Sequence, residues 1–298
     1  MKILRRAFVF LLIVASPGLA GETGKRVFSA GHSYHFDVPA MLEEIAKSGG
    51  FPDHQIVGKS MIGGSKTIQH WDQQPNNVKD ALQTGRVDVL TLTPVYLPDE
   101  GVEKFAEFGL KSNPDFKVTV QEFWLPYDEY QPAYYNAPKI PSPTVVDHNA
   151  ATVDKLNAIH AKYFMEMDAL VTGVNEKIGK PAVAVVPVGQ AVISLRGQII
   201  AGKVPGLKAQ EMLFTDPLGH PGPALKLLIA YCHFAVIYQK SPIGLPVPGI
   251  LMIYPPDVAV ALNKLLQETA WDAVTGHPLS GVKKQASGHS PGMDQKLR

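Results

Sequence analysis

Cysteine is almost missing from this 298-residue sequence: Cys232 stands alone. A single thiol excludes an internal disulfide and any metal site built from several cysteines. Net charge of one sign is missing too. Lys plus Arg number 28 and Asp plus Glu 27, a formal net charge of +1, and charged residues make up only 18% of the chain. A chain so balanced lacks the clustered basic surface that displaces counterions from nucleic-acid phosphates. Disorder is excluded by the opposite quantity, an apolar content of 45% that suffices for a sizeable core. Beyond residue 20 no stretch is long and apolar enough to span a bilayer, which takes about 20 residues. Spaced metal motifs such as His-Glu-X-X-His are absent as well.

What is present begins with MKILRRAFVFLLIVASPGLA. Lys2, Arg5 and Arg6 precede an apolar run from Ala7 to Ala15, Ser16-Pro17-Gly18 breaks it, and Gly18-Leu19-Ala20 offers small residues for cleavage. Residues 1–20 therefore read as an export signal, and the expected location is secreted or periplasmic. Losing three positive charges and no acid turns the +1 into −2. The remaining domain is expected over 21–279, with a poorly ordered tail over 280–298.

Strand and helix patterns then alternate. Strands are expected at Arg26–Ser29, Gln55–Lys59, Val87–Thr93, Phe116–Trp124 and Ala182–Val188. Helices are expected at Pro39–Lys47, Val78–Gln83, Glu103–Leu110, within 151–178, and at Ala224–Tyr238 as the final core helix. Cys232 falls on the apolar stripe of that last helix, which makes it a core thiol. Buried β-branched strands alternating with helices predict a mostly parallel sheet covered on both faces, with working residues at the strands' carboxyl ends. Residues 125–149 interrupt the rhythm with five prolines and four tyrosines, Tyr127 among them, the composition of a stiffened surface loop or a binding loop.

Three features carry candidate chemistry. Ser33, in Gly31-His32-Ser33-Tyr34-His35, falls between the first strand and a helix, where a serine projects from a tight turn beside free backbone N–H groups. Gly63-Gly64 follows the second strand and offers amide donors to an oxyanion. Asp216 and His220 lie four residues apart on a turn before a helix, so the carboxylate can orient the imidazole and the imidazole can take a serine proton. Taken singly, each also reads as an ordinary turn.

Their order and placement resemble the SGNH (GDSL-like) hydrolase superfamily over roughly Val27 to Leu245. The resemblance implies a flavodoxin-like three-layer α/β/α fold, an esterase with an acyl-serine intermediate, often acting on acetyl groups of carbohydrates, and no cofactor or metal. It assigns Ser33 as nucleophile, His220 as base and Asp216 as its orienting carboxylate, with amides of Ser33 and Gly63 or Gly64 in the oxyanion hole. Two departures stand out. Thr91-Leu92-Thr93-Pro94-Val95-Tyr96 holds no asparagine where the family has one, leaving Thr93 as the candidate donor. The Asp–His spacing is four residues rather than three, with Gly219 as the extra one.

His35, Trp71, Trp124 and Tyr127 are candidate substrate contacts, the aromatic ones suited to a sugar-bearing ester. A metal-dependent hydrolase needs His32, His35, His54, His70, Asp37 and Asp53 to converge. A catalytically weak or inactive glycan-binding protein on the same fold is the alternative, favoured by the missing asparagine and the longer Asp–His spacing, and a His220 ring facing solvent, away from Ser33, would favour it further. Partners other than a small-molecule or glycan ester are not indicated, and the oligomeric state is left open.

Overall fold

The computed structural model describes residues 23–129 and 146–284. The segment expected as an export signal and most of the Pro/Tyr-rich loop lie outside these residues, as does the tail beyond 284. Five strands, β1 (Arg26–Gly31), β2 (Gln55–Met61), β3 (Val89–Leu92), β4 (Lys117–Gln121) and β5 (Val183–Val186), form one sheet in the order β2-β1-β3-β4-β5, every pairing parallel. Among the described residues eight α-helices surround it: α1 (Val38–Ser48), α2 (Thr67–Asp72), α3 (Asn77–Gln83), α4 (Gly101–Ser112), α5 (Val153–Ile178), α6 (Val188–Ile200), α7 (Pro223–Tyr238) and α8 (Pro256–Gly276). The result is the expected three-layer α/β/α fold.

Burial explains the strand compositions. β3 and β5 read VLTL and VAVV because helices cover both faces, so no polar alternation is tolerated. β2, at the edge, alternates exposed and half-buried residues over QIVGK. α1 packs on α7, which packs on α6 and α8, while α3 and α5 pack on α4. α7 is buried all round apart from Pro223 and Lys226, and Cys232 lies fully inside it, where burial pushes its thiol pKa up.

Several expected boundaries shift for identifiable reasons. The last strand stops at Val186 because Pro187 has no N–H to donate, and α6 starts at once at Val188. β4 ends at Gln121, not Trp124, since Glu122 already donates its N–H to the end of β5 and the chain then leaves the sheet. Ala224–Tyr238 is not the final helix; α8 follows it and packs on its outer side. Ser280 and Val282 are packed against the body. Among the described residues no helix is long and apolar enough to cross a membrane.

The strand order reverses direction between β1 and β3, and open α/β sheets leave a crevice at the carboxyl ends of such a pair. Ser33 follows β1 and Thr93 follows β3, so both candidate residues reach that crevice.

Candidate active site

β1 ends at Gly31, and Ser33 opens a one-turn 3-10 helix, Ser33–His35, that leads into α1. A Cβ on Gly31 would lie 2.6 Å from the Thr93 hydroxyl oxygen and 3.2 Å from the His35 Cβ, so only glycine lets the two strand ends close. The His32 N–H donates to Thr93 Oγ1 at 3.2 Å, and His32 Nδ1 accepts the Tyr34 N–H at 3.3 Å. These bonds set the turn that lifts Ser33 to a half-buried position. As first residue of its helical turn, Ser33 keeps an N–H without an intrahelical acceptor.

The second half of the site is the loop from Leu213 to Gly222. Phe214 and Pro221 bridge as antiparallel partners, and the Gly222 N–H donates to the Leu213 carbonyl at 2.7 Å. Asp216 Oδ1 accepts the N–H groups of Gly219 and His220 at 3.0 and 3.1 Å. Gly219 has φ +97°, a value closed to most side chains, and it takes up the extra residue in the Asp–His spacing.

Across this turn His220 Nδ1 lies 2.5 Å from Asp216 Oδ2, and His220 Nε2 lies 2.8 Å from Ser33 Oγ. With the Nδ1 proton given to the carboxylate, Nε2 accepts the Ser33 hydroxyl proton, the tautomer a general base requires. Burial would push the Asp216 pKa up, but hydrogen bonds from the His220 ring and from the His220 and Gly219 amides outweigh it. The net shift is downward, so the carboxylate is ionised at neutral pH. The His220 ring faces Ser33 and does not turn away from it, the orientation that would have favoured the inactive-binder alternative.

Tyr34, to which the sequence assigned no role, and Trp124 and Tyr127, expected as substrate contacts, hold this loop. Tyr34 donates its hydroxyl to the Leu218 carbonyl at 2.5 Å, Trp124 its indole N–H to the Gly219 carbonyl at 3.0 Å, and Tyr127 its N–H to the Leu218 carbonyl at 3.2 Å. Tyr34 and Trp124 stack with centroids 4.5 Å apart, and Tyr34 meets the His220 ring edge-on at 5.2 Å. Burial, then the nearby Asp216 charge, drives the Tyr34 phenol pKa well above its ordinary value, keeping it a donor. Tyr34 follows Ser33 directly, yet its partner is 184 positions away, so no local pattern could reveal the bond.

Gly63 and Gly64 are exposed, and neither N–H has a hydrogen-bond partner among the described residues. Their loop is tied down on both sides: the Ile62 N–H donates to the Gly31 carbonyl at 3.1 Å, and Ser65 Oγ lies 2.8 Å from His70 Nε2. Thr93, besides accepting the His32 N–H, is buried beneath the turn.

Other candidates sit elsewhere than expected. His35 is fully buried, with Nδ1 2.9 Å from Gln121 Oε1 and Nε2 3.0 Å from Thr91 Oγ1, so it supports the site from below and does not meet substrate. Trp71 packs edge-on against Phe105 and Phe108 of α4 instead of closing a pocket. Trp124 is only 2% exposed and its N–H is engaged, which leaves no free ring face for a sugar. Tyr127 is half-exposed and lies beside the His220 loop, its N–H bonded to the Leu218 carbonyl.

The six residues of the metal expectation do not converge. His54 is bound to Tyr238, His70 lies between Ser60 and Ser65, Asp37 pairs with Lys226, and Asp53 accepts the Gly24 N–H. Glu122, Asp168 and His277 do bring three ligand atoms within 4.8 Å of one another. His277 Nδ1 accepts the Leu279 N–H, and Nε2 lies 3.4 Å from Glu122 Oε1 and 3.3 Å from Asp168 Oδ1, an oxygen without a hydrogen-bond partner among the described residues. With Nδ1 accepting a hydrogen bond, Nε2 is the nitrogen left to carry the ring proton, whereas a metal ligand needs it bare.

No protein-family model matches the chain, and no curated protein matches it. Among solved structures, it is similar to a DUF4886 family protein from Bacteroides uniformis, with 14% identity and a TM-score of 0.54, covering 89% of this chain and 98% of that one. It is also matched to a protein described as a GDSL-like lipase from Parabacteroides merdae, with 13% identity and a TM-score of 0.42, covering 70% of this chain and 94% of that one. The first likeness shows a shared fold; the chemistry rests on the Ser33, His220 and Asp216 geometry of the chain itself.

Proposed function

We propose that this chain is an exported serine ester hydrolase of SGNH type acting on a small acyl ester, an acetyl ester among the candidates. The observation that carries the reading is the continuous hydrogen-bonded line from Ser33 Oγ through His220 to Asp216, at 2.8 and 2.5 Å. In this reading Ser33 Oγ attacks the ester carbonyl as its proton passes to His220 Nε2, and Asp216 stabilises the imidazolium without taking the proton. The tetrahedral oxyanion is met by the Ser33 N–H and by a Gly63 or Gly64 N–H, with the Thr93 hydroxyl the nearest substitute for the family's asparagine. Collapse returns the proton from His220 to the departing alcohol and leaves an acyl-serine. Water, deprotonated by His220, then attacks that ester, and the acid product leaves as the Ser33 hydroxyl is restored.

A carbohydrate bearing the ester rests on Tyr127, half-exposed next to the His220 loop, and not on the buried Trp124. Export rests on the pattern of residues 1–20. Incubation with a fluorophosphonate probe, followed by peptide mapping, is expected to label Ser33. The wild-type protein is expected to turn over a small acetyl ester, and Ser33→Ala to lose both labelling and turnover. Equal hydrolysis by the two proteins sinks the assignment.

A further inference from the structure

The chemistry above uses no charge from α6, yet Arg196 of that helix is 1% exposed and bonded through all three of its guanidinium nitrogens. Its Nη1 and Nη2 donate to the two oxygens of Asp128 at 2.5 and 2.8 Å, Nη2 also to the His148 carbonyl at 2.9 Å, and Nε to Gln210 Oε1 at 2.6 Å. His148 Nδ1 adds a contact to Asp128 Oδ2 at 2.9 Å. A guanidinium and carboxylate removed from water need such complete satisfaction to be tolerated at all.

Two branches run from Arg196 to the His220 loop. Gln210 opens the 3-10 turn Gln210–Leu213 that feeds the loop, and the Arg196 guanidinium lies 5.5 Å from the Phe214 ring. Phe214 is the residue that bridges to Pro221, beside His220. The other branch passes through Asp128. Tyr127 and Asp128 have φ +57° and +52°, two successive non-glycine residues in left-handed backbone. L side chains disfavour that conformation, so it persists only where surroundings impose it. The bidentate pair imposes it on Asp128, and the turn so formed aims the Tyr127 N–H at the Leu218 carbonyl, two residues before His220. One branch fixes the stem of the loop and the other its tip.

We propose that the buried Arg196–Asp128 pair is a positioning unit of the site, setting where the His220 ring stands relative to Ser33 and Asp216. Arg196 touches none of the three, so it acts through Gln210, Phe214 and Tyr127. This rests on the hydrolase reading for its consequence in turnover, but the geometry it controls is measurable without turnover. The 2.5 Å His220–Asp216 contact should give a far-downfield Nδ1 proton resonance.

The experiment records that resonance, its solvent exchange, fluorophosphonate labelling of Ser33, and kcat and KM on a small acetyl ester. Wild type is compared with Arg196→Met, Asp128→Asn and the double variant. Leu262→Ala, a buried α8 substitution away from the site, controls for general destabilisation. Variants confirmed folded by circular dichroism are expected to lose or broaden the resonance. Labelling and kcat should fall about 10- to 100-fold with KM within a few-fold, and the double variant should be no worse than the poorer single one, as for residues acting as a unit. Leu262→Ala should lower the melting temperature yet keep the resonance. If Arg196→Met does not fold, Asp128→Asn, which preserves shape, decides. An unchanged resonance in a folded variant overturns the proposal, as does equal loss in Leu262→Ala. Wild type that shows the resonance but neither labels nor turns over ester overturns the hydrolase reading alone, and the resonance still judges the clamp.

Discussion

Ser33 and His220 stand 187 positions apart in the chain and 2.8 Å apart in space, so the chemistry of each depends on what fixes the other. Asp216 is the residue whose single atom change tests this most cleanly. In Asp216→Asn the backbone N–H groups of Gly219 and His220 still find an oxygen, but the amide can now donate to Nδ1. That favours the tautomer with its proton on Nε2, facing Ser33, where it cannot accept the hydroxyl proton. A fall in kcat of about 10³- to 10⁴-fold is expected, with KM little changed. Steady-state kinetics above and below neutrality check it, and a loss under tenfold would show that Asp216 does not orient the ring. The same scale explains why His35 was misread. Two positions from Ser33 in sequence, it points into the sheet because the short 3-10 turn rotates successive side chains, and burial lowers its pKa to about 4. Proximity in sequence carried no information about facing.

At the scale of elements, the α/β alternation was legible because buried parallel strands must be β-branched and apolar, as VDVLTLT and AVAVVPV are. The Ser33 and Gly63 positions were legible for a related reason, that strand-end turns carry recognisable glycines and polar residues, and Asp216–His220 as a polar turn just before α7. α6 and α8 were not read. α6 follows β5 after a single proline, so the apolar run of one merges with the other, and α8 lies behind α7 with only part of its surface buried. Illegible too were the supports of the loop, since Tyr34, Trp124 and Arg196 act across 68 to 184 positions. Trp124 gives an element-scale test. Trp124→Phe keeps an aromatic face against Tyr34 and removes the N–H given to the Gly219 carbonyl. The loss is expected to cost about 1 kcal/mol of stability and to lower kcat by roughly tenfold. Urea denaturation and initial rates measure the two separately; an unchanged kcat would show that the loop holds its place without this bond.

Over the whole molecule, the histidines impose a pH dependence that no single site predicts. Burial lowers the pKa of His32 to about 3, aided by His35, His70 and His220, and burial lowers His35, His54, His70 and His160 to about 4. His233 falls well below its ordinary value by burial and the nearness of His35. Each titrates near 6.5 in the unfolded chain, so between about 4 and 6.5 the unfolded state binds more protons than the folded one. Stability therefore rises with pH across that window, is fully present above it, and is lost on acidification. Each fully buried ring contributes about 1.4 kcal/mol per pKa unit of its shift, so several acting together can unfold the domain before the low end is reached. Asp99, Glu122 and Asp168 oppose the trend, because burial raises their pKa and they favour the folded state at lower pH. Asp128 acts outside the window: burial alone would raise its pKa, but Arg196 and His148 hold it at about 2, so its contribution is lost only at more acidic pH. Six lowered histidines against three raised carboxylates fix the sign. The melting temperature is expected to drop steeply from pH 6.5 to 4.5 and to stay nearly level from 6.5 to 8. Replacing His35, whose two ring nitrogens are both bonded, by Gln should flatten that slope while lowering stability at neutral pH. A melting temperature independent of pH below 6.5 would mean that these rings are not held neutral, and with them would go the packed polar layer beneath Ser33.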